Sequence, residues 1–222
     1  MNNEILAEIQ YQLEYEFDEP KLLRQAFTRK SYSEEHNDSY HNEVLEFYGD
    51  KALEFIVMKK LSEYYGELTQ NGKYSSTKNE GMLTEIKKKL ICKSMLASRI
   101  DQLGFAEYIL MGKSDKSQNI QNQESVKEDL FEAIIGAVAV DSNWNYEKLD
   151  RVCKNMLQMT TINGYLEVLV HEKCEQLGLE MPVYSPVQYE GYDPAGWSLD
   201  LFNCRIYQPQ GYTSKNPKTG LY

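Results

Sequence analysis

The chain has 222 residues, of which 41% are hydrophobic and 26% charged, the proportions of an ordinary globular protein. It holds no apolar run of about eighteen residues, which argues against a membrane span, and its acidic start lacks the layout of a secretion signal. The formal net charge of -10 argues against a nucleic-acid-binding protein but does not exclude one, because a carboxylate cluster that binds cations adds negative charge.

Residues 1–158 are predicted to be almost entirely helical. Apolar residues recur at helical spacing in residues 22–27, 43–65, 80–104 and 124–144. Turn-forming residues separate these segments at 18–20, 37–39, 71–72 and 112–115. Pro20 suits the first turn of a helix, and Ser125 is a candidate cap for the last of the four segments. We interpret Trp144 as a core residue.

The pattern changes after about residue 162. Residues 166–178 keep helical spacing, and the chain then alternates polar and apolar residues, as at Trp197, Leu199 and Leu201. This order predicts a helix followed by short antiparallel strands, and therefore a second, smaller α+β domain over residues 163–222. We interpret Trp197 as a core residue of that domain.

Four cysteines are spread widely along the chain, at positions 92, 153, 174 and 204. None forms a C-x-x-C pair, so the spacing favours neither a zinc site nor a disulfide framework. We interpret them as reduced thiols of a cytoplasmic protein.

Two pairs of acidic residues lie within apolar helical segments. Glu46 and Asp50 are four residues apart, and Asp129 and Glu132 are three apart, so each pair shares one helix face. Glu43, three residues before Glu46, lies on the same side. Acidic residues at this spacing usually form only a solvated face, and for either pair alone that interpretation stays open.

Gly49 and Gly136 would allow the two helices to approach closely, which would bring the four carboxylates together. Crowded carboxylates in a partly buried place either bind protons or recruit a cation. Oxygen ligands suit a hard divalent ion such as Mg²⁺ or Mn²⁺, and such an ion serves phosphoryl chemistry.

Residues 40–55, which read YHNEVLEFYGDKALEF, resemble the signature of ribonuclease III catalytic domains, whose usual form is H-N-E-R-L-E-F-L-G-D. The resemblance continues, in the family's order, through residues 13–43, 80–115 and 124–144. It therefore covers about residues 11 to 158. Three positions depart from the signature, namely Val44, Tyr48 and Lys51, and none of them is a metal ligand.

The resemblance implies an all-α catalytic domain of the ribonuclease III fold over residues 1–158. It implies that Glu46, Asp50, Asp129 and Glu132 bind Mg²⁺, with Mn²⁺ as a substitute, and that Glu43 contributes to cleavage. The implied protein is a homodimer, with residues 43–57 in the contact and Phe47 inserted into the partner. The implied reaction is hydrolysis of double-stranded RNA by staggered cuts that leave 5′-phosphate and 3′-hydroxyl ends.

Residues 163–222 resemble, more weakly, the first part of a double-stranded RNA-binding domain without its last helix. They carry four Lys or Arg residues against seven Asp or Glu residues, a net charge of -3, so weak phosphate binding is expected. A domain that keeps the scaffold without binding RNA stays open beside a working one.

Two other functions compete with the endonuclease. One is an RNA-binding scaffold of the same fold that has weak or no catalysis, and the other is an interaction protein whose negative charge rejects RNA. The presence of all four carboxylates favours the enzyme, because a purely structural domain has no reason to keep crowded acids.

Overall fold

A computed structural model describes residues 1–37 and 40–157 in full, together with the backbone of three strands nearer the C-terminus. The chain divides into two compact units, Met1–Ile162 and Asn163–Tyr222.

The described part of the first unit is helical except for one short hairpin. Its helices are α1 (Asn3–Leu13), α2 (Pro20–Ala26), α3 (Lys30–Glu35), α4 (Glu43–Tyr65), α5 (Glu80–Leu90), α6 (Lys93–Leu103), α7 (Lys113–Ser117), α8 (Glu124–Asp141) and α9 (Tyr146–Leu157). The hairpin strands are β1 (Gly66–Leu68) and β2 (Tyr74–Ser76), and single 3₁₀ turns lie at Phe105–Tyr108 and Ile120–Asn122.

Helix α8 is the centre of the core. Its apolar residues Leu130, Phe131, Ile134 and Ile135 are each no more than 2% exposed. Helices α2, α4, α6 and α9 all pack against it, and α4 has the most extensive contact. A helix that is apolar on nearly every side must be buried in this way, which explains its central place.

The connection between α2 and α3 is fixed by main-chain hydrogen bonds. The N–H of Arg29 donates to the Leu110 carbonyl at 3.0 Å, and the N–H of Leu110 donates to the Phe27 carbonyl at 2.8 Å. The N–H of Asn42, just before α4, donates to the Thr28 carbonyl at 2.8 Å. These bonds hold the start of α4 and the segment before α7 against residues 27–29.

Helix boundaries agree with the sequence prediction at α2 and α4 and differ at α7 and α8. Pro20 is the first residue of α2, as predicted. The prediction that Ser125 caps α8 is wrong, because the helix already begins at Glu124 and Gln123 is the extended residue before it. Residues 112–115 were predicted as a break, but only Gly112 lies outside a helix, since α7 begins at Lys113.

The prediction that Trp144 belongs to the core is wrong. The side chain is 50% exposed, in the turn between α8 and α9, where its backbone has a φ of 60°. Its ring lies 6.1 Å from that of Tyr48, which in turn lies 5.7 Å from that of Phe47. Phe55, seven residues after Tyr48 on the same helix, is 57% exposed, and we call these four exposed residues the aromatic surface (Phe47, Tyr48, Phe55 and Trp144).

Strands β1 and β2 form an antiparallel hairpin that the sequence did not predict. Gly66 pairs with Ser76, and the loop contains Gly72 at a φ of 72°, which a glycine adopts without strain. The Tyr74 hydroxyl donates to the Ser62 carbonyl of α4 at 3.1 Å. The hairpin is thereby tied to the end of α4.

Three antiparallel strands are described in the second unit: β3 (Val183–Val187), β4 (Gly196–Leu201) and β5 (Cys204–Gln208), in the order β3-β4-β5. The strand predicted around residues 197–201 is confirmed. The helix predicted at 166–178 and the side chain of Trp197 lie outside the described residues. Among the helices that the structure describes, none is long and apolar enough to cross a membrane.

Candidate active site

Helix α4 carries three of the predicted site residues near its start. Glu43 is its first residue, and Glu46 and Asp50 follow at intervals of three and four. The main chain of this end of the helix lies against α8 at Leu45, whose carbonyl faces Gly136 and whose side chain is buried. The helical spacing therefore presents the three carboxylates along one face.

Helix α8 carries Asp129 and Glu132, and two glycines set how near they come to α4. A Cβ on Gly49 would lie 1.7 Å from the Glu132 carbonyl oxygen, and one on Gly136 would lie 1.9 Å from the Leu45 carbonyl oxygen. The main chains of the two helices are thus in contact, which confirms the prediction that Gly49 and Gly136 allow a close approach. No larger residue at either position permits this crossing.

The crossing brings the charges of all four carboxylates into one field. Burial, followed by the charges of Asp50 and Glu128 and then of Glu46 and Asp129, raises the pKa of Glu132 to about 8. Around neutral pH the Glu132 carboxyl is therefore largely protonated when no cation is bound.

Glu46 and Asp129 feel the same field. Burial, then Asp129 and Glu43, raise the pKa of Glu46 to about 6. Burial also raises the pKa of Asp129, although the neighbouring Arg29 opposes this shift. The carboxylates are too close together for all of them to be ionised at neutral pH unless a cation is bound.

Two cations already pair with this cluster. Lys51 Nζ lies 2.9 Å from an Asp50 oxygen, and Arg29 Nη1 lies 3.7 Å from an Asp129 oxygen. Within the described residues, no three His, Cys, Asp or Glu side chains are gathered closely enough to hold a metal ion.

Glu43 lies at the edge of the cluster rather than within it. Its carboxylate is half exposed and lies 3.9 Å from Lys30 Nζ and 3.8 Å from His41 Nδ1. It reaches the centre only through its charge, which acts on Glu46.

A family model described as ribonuclease-III-like matches residues 19–160. The chain belongs to the ribonuclease III family. A protein named Ribonuclease 3 from Treponema succinifaciens is 48% identical over all of this chain and 60% of its own length, and one from Roseburia hominis is 49% identical over 93% and 62%. The chain thus spans about three fifths of the length of these relatives.

Solved structures agree for the helical part. A nuclease domain of ribonuclease III from Campylobacter jejuni, described for flexibility in its dimer-forming region, is 26% identical to this chain with a TM-score of 0.58. The match covers 69% of this chain and 96% of that domain. The predicted all-α ribonuclease III fold is therefore confirmed for the first unit.

The three departures from the ribonuclease III signature lie on the surface. Val44 is 56% exposed, Tyr48 belongs to the aromatic surface, and Lys51 is the partner of Asp50. The Lys51 side chain is more than half exposed, and it also lies 3.6 Å from Glu54.

Sequence reasoning missed one carboxylate of the candidate site. Glu128 precedes Asp129 on α8, and its charge acts on Glu46, Asp129 and Glu132. Lys93, the first residue of α6, lies 2.8 Å from it. The segment KEDLFEA contains Glu128 in addition to the two predicted acids, and helical spacing places it next to their face. This spacing could have identified it.

Proposed function

We propose that this chain is a metal-dependent endonuclease of double-stranded RNA. The observation that supports the proposal is the main-chain contact between α4 and α8, where the charges of Glu46, Asp50 and Asp129 all act on Glu132. Keeping four acids there costs stability, and a divalent cation offsets that cost. Family membership supports RNA as the substrate, because relatives 48% and 49% identical to this chain carry the name of a ribonuclease.

The chemistry of the donors fits the implied ion. Carboxylate oxygens alone suit Mg²⁺, with Mn²⁺ as a substitute, and no histidine is required. Glu46, Asp50, Asp129 and Glu132 would hold the ion, and Glu43 would add negative charge from the edge. When bound, the ion supplies a hydroxide nucleophile and offsets the charge on phosphate oxygens. Staggered cuts leaving 5′-phosphate and 3′-hydroxyl ends are the proposed result.

The protein's own residues prepare the site for that ion. Lys51 lies 2.9 Å from an Asp50 oxygen and Arg29 lies 3.7 Å from an Asp129 oxygen, so each of these carboxylates has a cation beside it before the ion binds. Glu132 carries a proton near neutral pH and releases it when a cation binds. We expect the activity to tolerate the loss of Glu132 least, because it is the carboxylate on which the charges of Glu46, Asp50 and Asp129 all act.

We further propose that the active form is a homodimer joined through the aromatic surface. Phe47 is 64% exposed and Phe55 is 57% exposed, although both are large apolar residues on a core helix. Exposed aromatic clusters of this kind mark protein contacts. Two copies would supply two sites, one for each RNA strand.

Residues 163–222 would form an incomplete double-stranded RNA-binding domain with weak affinity for RNA. The three described strands support an α+β domain, and the net charge supports weak binding. We place the protein in the cytoplasm, which agrees with the free thiols of Cys92 and Cys153.

The decisive experiment is cleavage of a labelled, perfectly paired RNA duplex in Mg²⁺ and in EDTA. The wild type should make staggered cuts in Mg²⁺ alone, and Glu132→Gln should lose at least about 100-fold in rate. Glu147→Gln is a matched control, since it makes the same change at an exposed position of α9. A folded dimer that binds duplex but cuts in neither Mg²⁺ nor Mn²⁺ would instead be an RNA-binding scaffold.

A further inference from the structure

Arg29 is an arginine whose backbone is held rigidly beside the acidic site. Its N–H donates to the Leu110 carbonyl at 3.0 Å, and the neighbouring Thr28 forms a parallel β-bridge with Leu110. The residue lies between α2 and α3, a hundred positions before Asp129. Its place therefore depends on the packing of the whole unit and not on helical spacing.

The Arg29 side chain is held by two carboxylates. Nε donates to Asp115 Oδ2 at 3.3 Å, and Nη1 lies 3.7 Å from Asp129 Oδ2. Asp115 is itself fixed, because the Ser31 hydroxyl donates to the same oxygen at 2.6 Å and the Gly112 N–H donates to that hydroxyl at 3.0 Å. The guanidinium is thus oriented before any ligand arrives.

One edge of this guanidinium remains available. A quarter of the side chain is exposed, and among the residues that the structure describes none accepts a hydrogen bond from Nη2. The other cations of the site differ, since the side chains of Lys30, Lys51 and Lys93 are each more than half exposed. A preset arginine loses less conformational entropy on binding a ligand than such lysines do.

Charge and shape point to the ligand. A guanidinium matches the oxygens of a phosphodiester better than an ammonium does, because its N–H groups lie in one plane. Arg29 lies within 4 Å of a carboxylate proposed to bind metal, so an RNA strand engaged there passes next to it. A divalent ion at Asp129 would weaken the attraction between that carboxylate and Nη1. The positive charge of the guanidinium would then be less neutralised by protein groups and would attract a phosphate more strongly.

We propose that Arg29 binds a backbone phosphate of the RNA strand that occupies the acidic site of its own protomer. This inference rests on the proposed function. It adds a phosphate contact supplied by the α2–α3 connection, with Asp115 and Ser31 as the residues that position it.

The test measures binding of a perfect RNA duplex in Ca²⁺ as a function of salt, for the wild type, Arg29→Gln, Arg29→Lys and the control Arg151→Gln. Arg151 is exposed on α9 and takes part in none of the ion pairs of the site. Arg29→Gln should weaken binding about tenfold and reduce the slope of log affinity against log salt by about 0.9 for each site engaged. Arg29→Lys should keep the slope with intermediate affinity, and Arg151→Gln should change neither.

A second measurement separates phosphate binding from a role in placing Asp129. In the absence of RNA, the rise in unfolding temperature that Mn²⁺ causes is compared between the wild type and Arg29→Gln. The proposal expects this rise in Arg29→Gln to equal or exceed that of the wild type, since a competing positive charge has been removed. A smaller rise, together with an unchanged salt slope, would overturn the proposal and make Arg29 a positioning residue for Asp129.

Failure of the proposed function would look different. A wild type that binds no duplex even at low salt would overturn both the endonuclease and this inference. A wild type that binds and cuts, with an Arg29→Gln variant that has the same affinity and slope, would overturn the inference alone. The unfolding temperature of each variant without metal establishes that it is folded.

Discussion

Gly49 of α4 lies directly against the main-chain carbonyl of Glu132 on α8, so that a Cβ at position 49 would fall 1.7 Å from the carbonyl oxygen. Gly49, which permits the close crossing, therefore contacts Glu132, which belongs to the acidic site. Any change that separates the two helices there also separates the two pairs of carboxylates.

Gly49→Ala should destabilise the protein by about 3 kcal/mol or more, at the upper end of what overpacking usually costs, because the obstacle is backbone and cannot rotate away. Urea unfolding measures this change. Gly81→Ala is the matched control: its Cβ would meet only Asn79 Oδ1, at 3.5 Å, on the exposed surface of α5. There alanine should stabilise by up to about 1 kcal/mol. Equal effects at the two positions would contradict the close crossing.

Binding of Mn²⁺ should release protons near neutral pH. The pKa of Glu132 is raised to about 8 and that of Glu46 to about 6, so cation binding at pH 7 displaces a proton, mainly from Glu132. Calorimetric titration in two buffers of different ionisation enthalpy measures the number released. Glu132→Gln should release about one proton fewer at pH 7. A heat of binding that is the same in both buffers would refute this prediction.

The metal-free protein should lose stability as the pH rises. The folded pKa of Glu132 lies above its ordinary value of 4.5, so its contribution is fully present below pH 4.5 and is lost as the pH rises through about 8. With a discount for solvent screening, the loss is about 1–2 kcal/mol, or about 3–6 °C in unfolding temperature. Glu132→Gln should show a smaller fall between pH 5 and pH 8.5, as measured by calorimetry in EDTA.

Phe47→Glu should dissociate the proposed dimer without unfolding the protomer. The side chain is 64% exposed, so its replacement leaves the core intact, while a buried charge in the dimer contact costs about 2 kcal/mol or more. The dimer dissociation constant should rise at least about 30-fold in sedimentation equilibrium. Tyr11→Glu, at an 85% exposed position of α1, should leave it unchanged. A Phe47→Glu variant that remains dimeric would exclude the aromatic surface as the contact.

Asp101→Asn should destabilise the protein by about 1–2 kcal/mol. Its partner Lys127 is only 8% exposed and lies 2.7 Å from the Asp101 carboxylate, so the variant leaves a nearly buried ammonium without a counter-charge. The exposure of Asp101 itself reduces the effect. Glu85→Gln, which breaks the exposed pair with Lys88, should cost less than about 0.5 kcal/mol. Thermal unfolding compares the two, and Lys127→Met should be nearly neutral.

Helical spacing was enough to predict much of the first unit. The bounds of α4 follow from the apolar periodicity of residues 43–65, and Glu46 and Asp50 share a face because the helix repeats every 3.6 residues. The literal signature around them indicated the family, which the family model and the relatives confirm. These are properties of neighbouring residues, which a sequence displays directly.

Contacts between distant residues were not predictable in this way. The interpretation of Trp144 as a core residue is wrong, because the turn after α8 places it on the surface beside Tyr48. Strands β1 and β2 are only three residues each, too short for alternation to identify them.

The sequence by itself determined which residues carry acidic side chains on which helix faces, since that depends only on local backbone geometry. The tertiary structure decided which charges meet. Arg29 reaches Asp129 across a hundred positions because the α2–α3 connection pairs with Leu110. Glu132 acquires its raised pKa because α4 and α8 bury it beside Asp50. Burial and electrostatic coupling depend on distances in space, and only the packed chain establishes them.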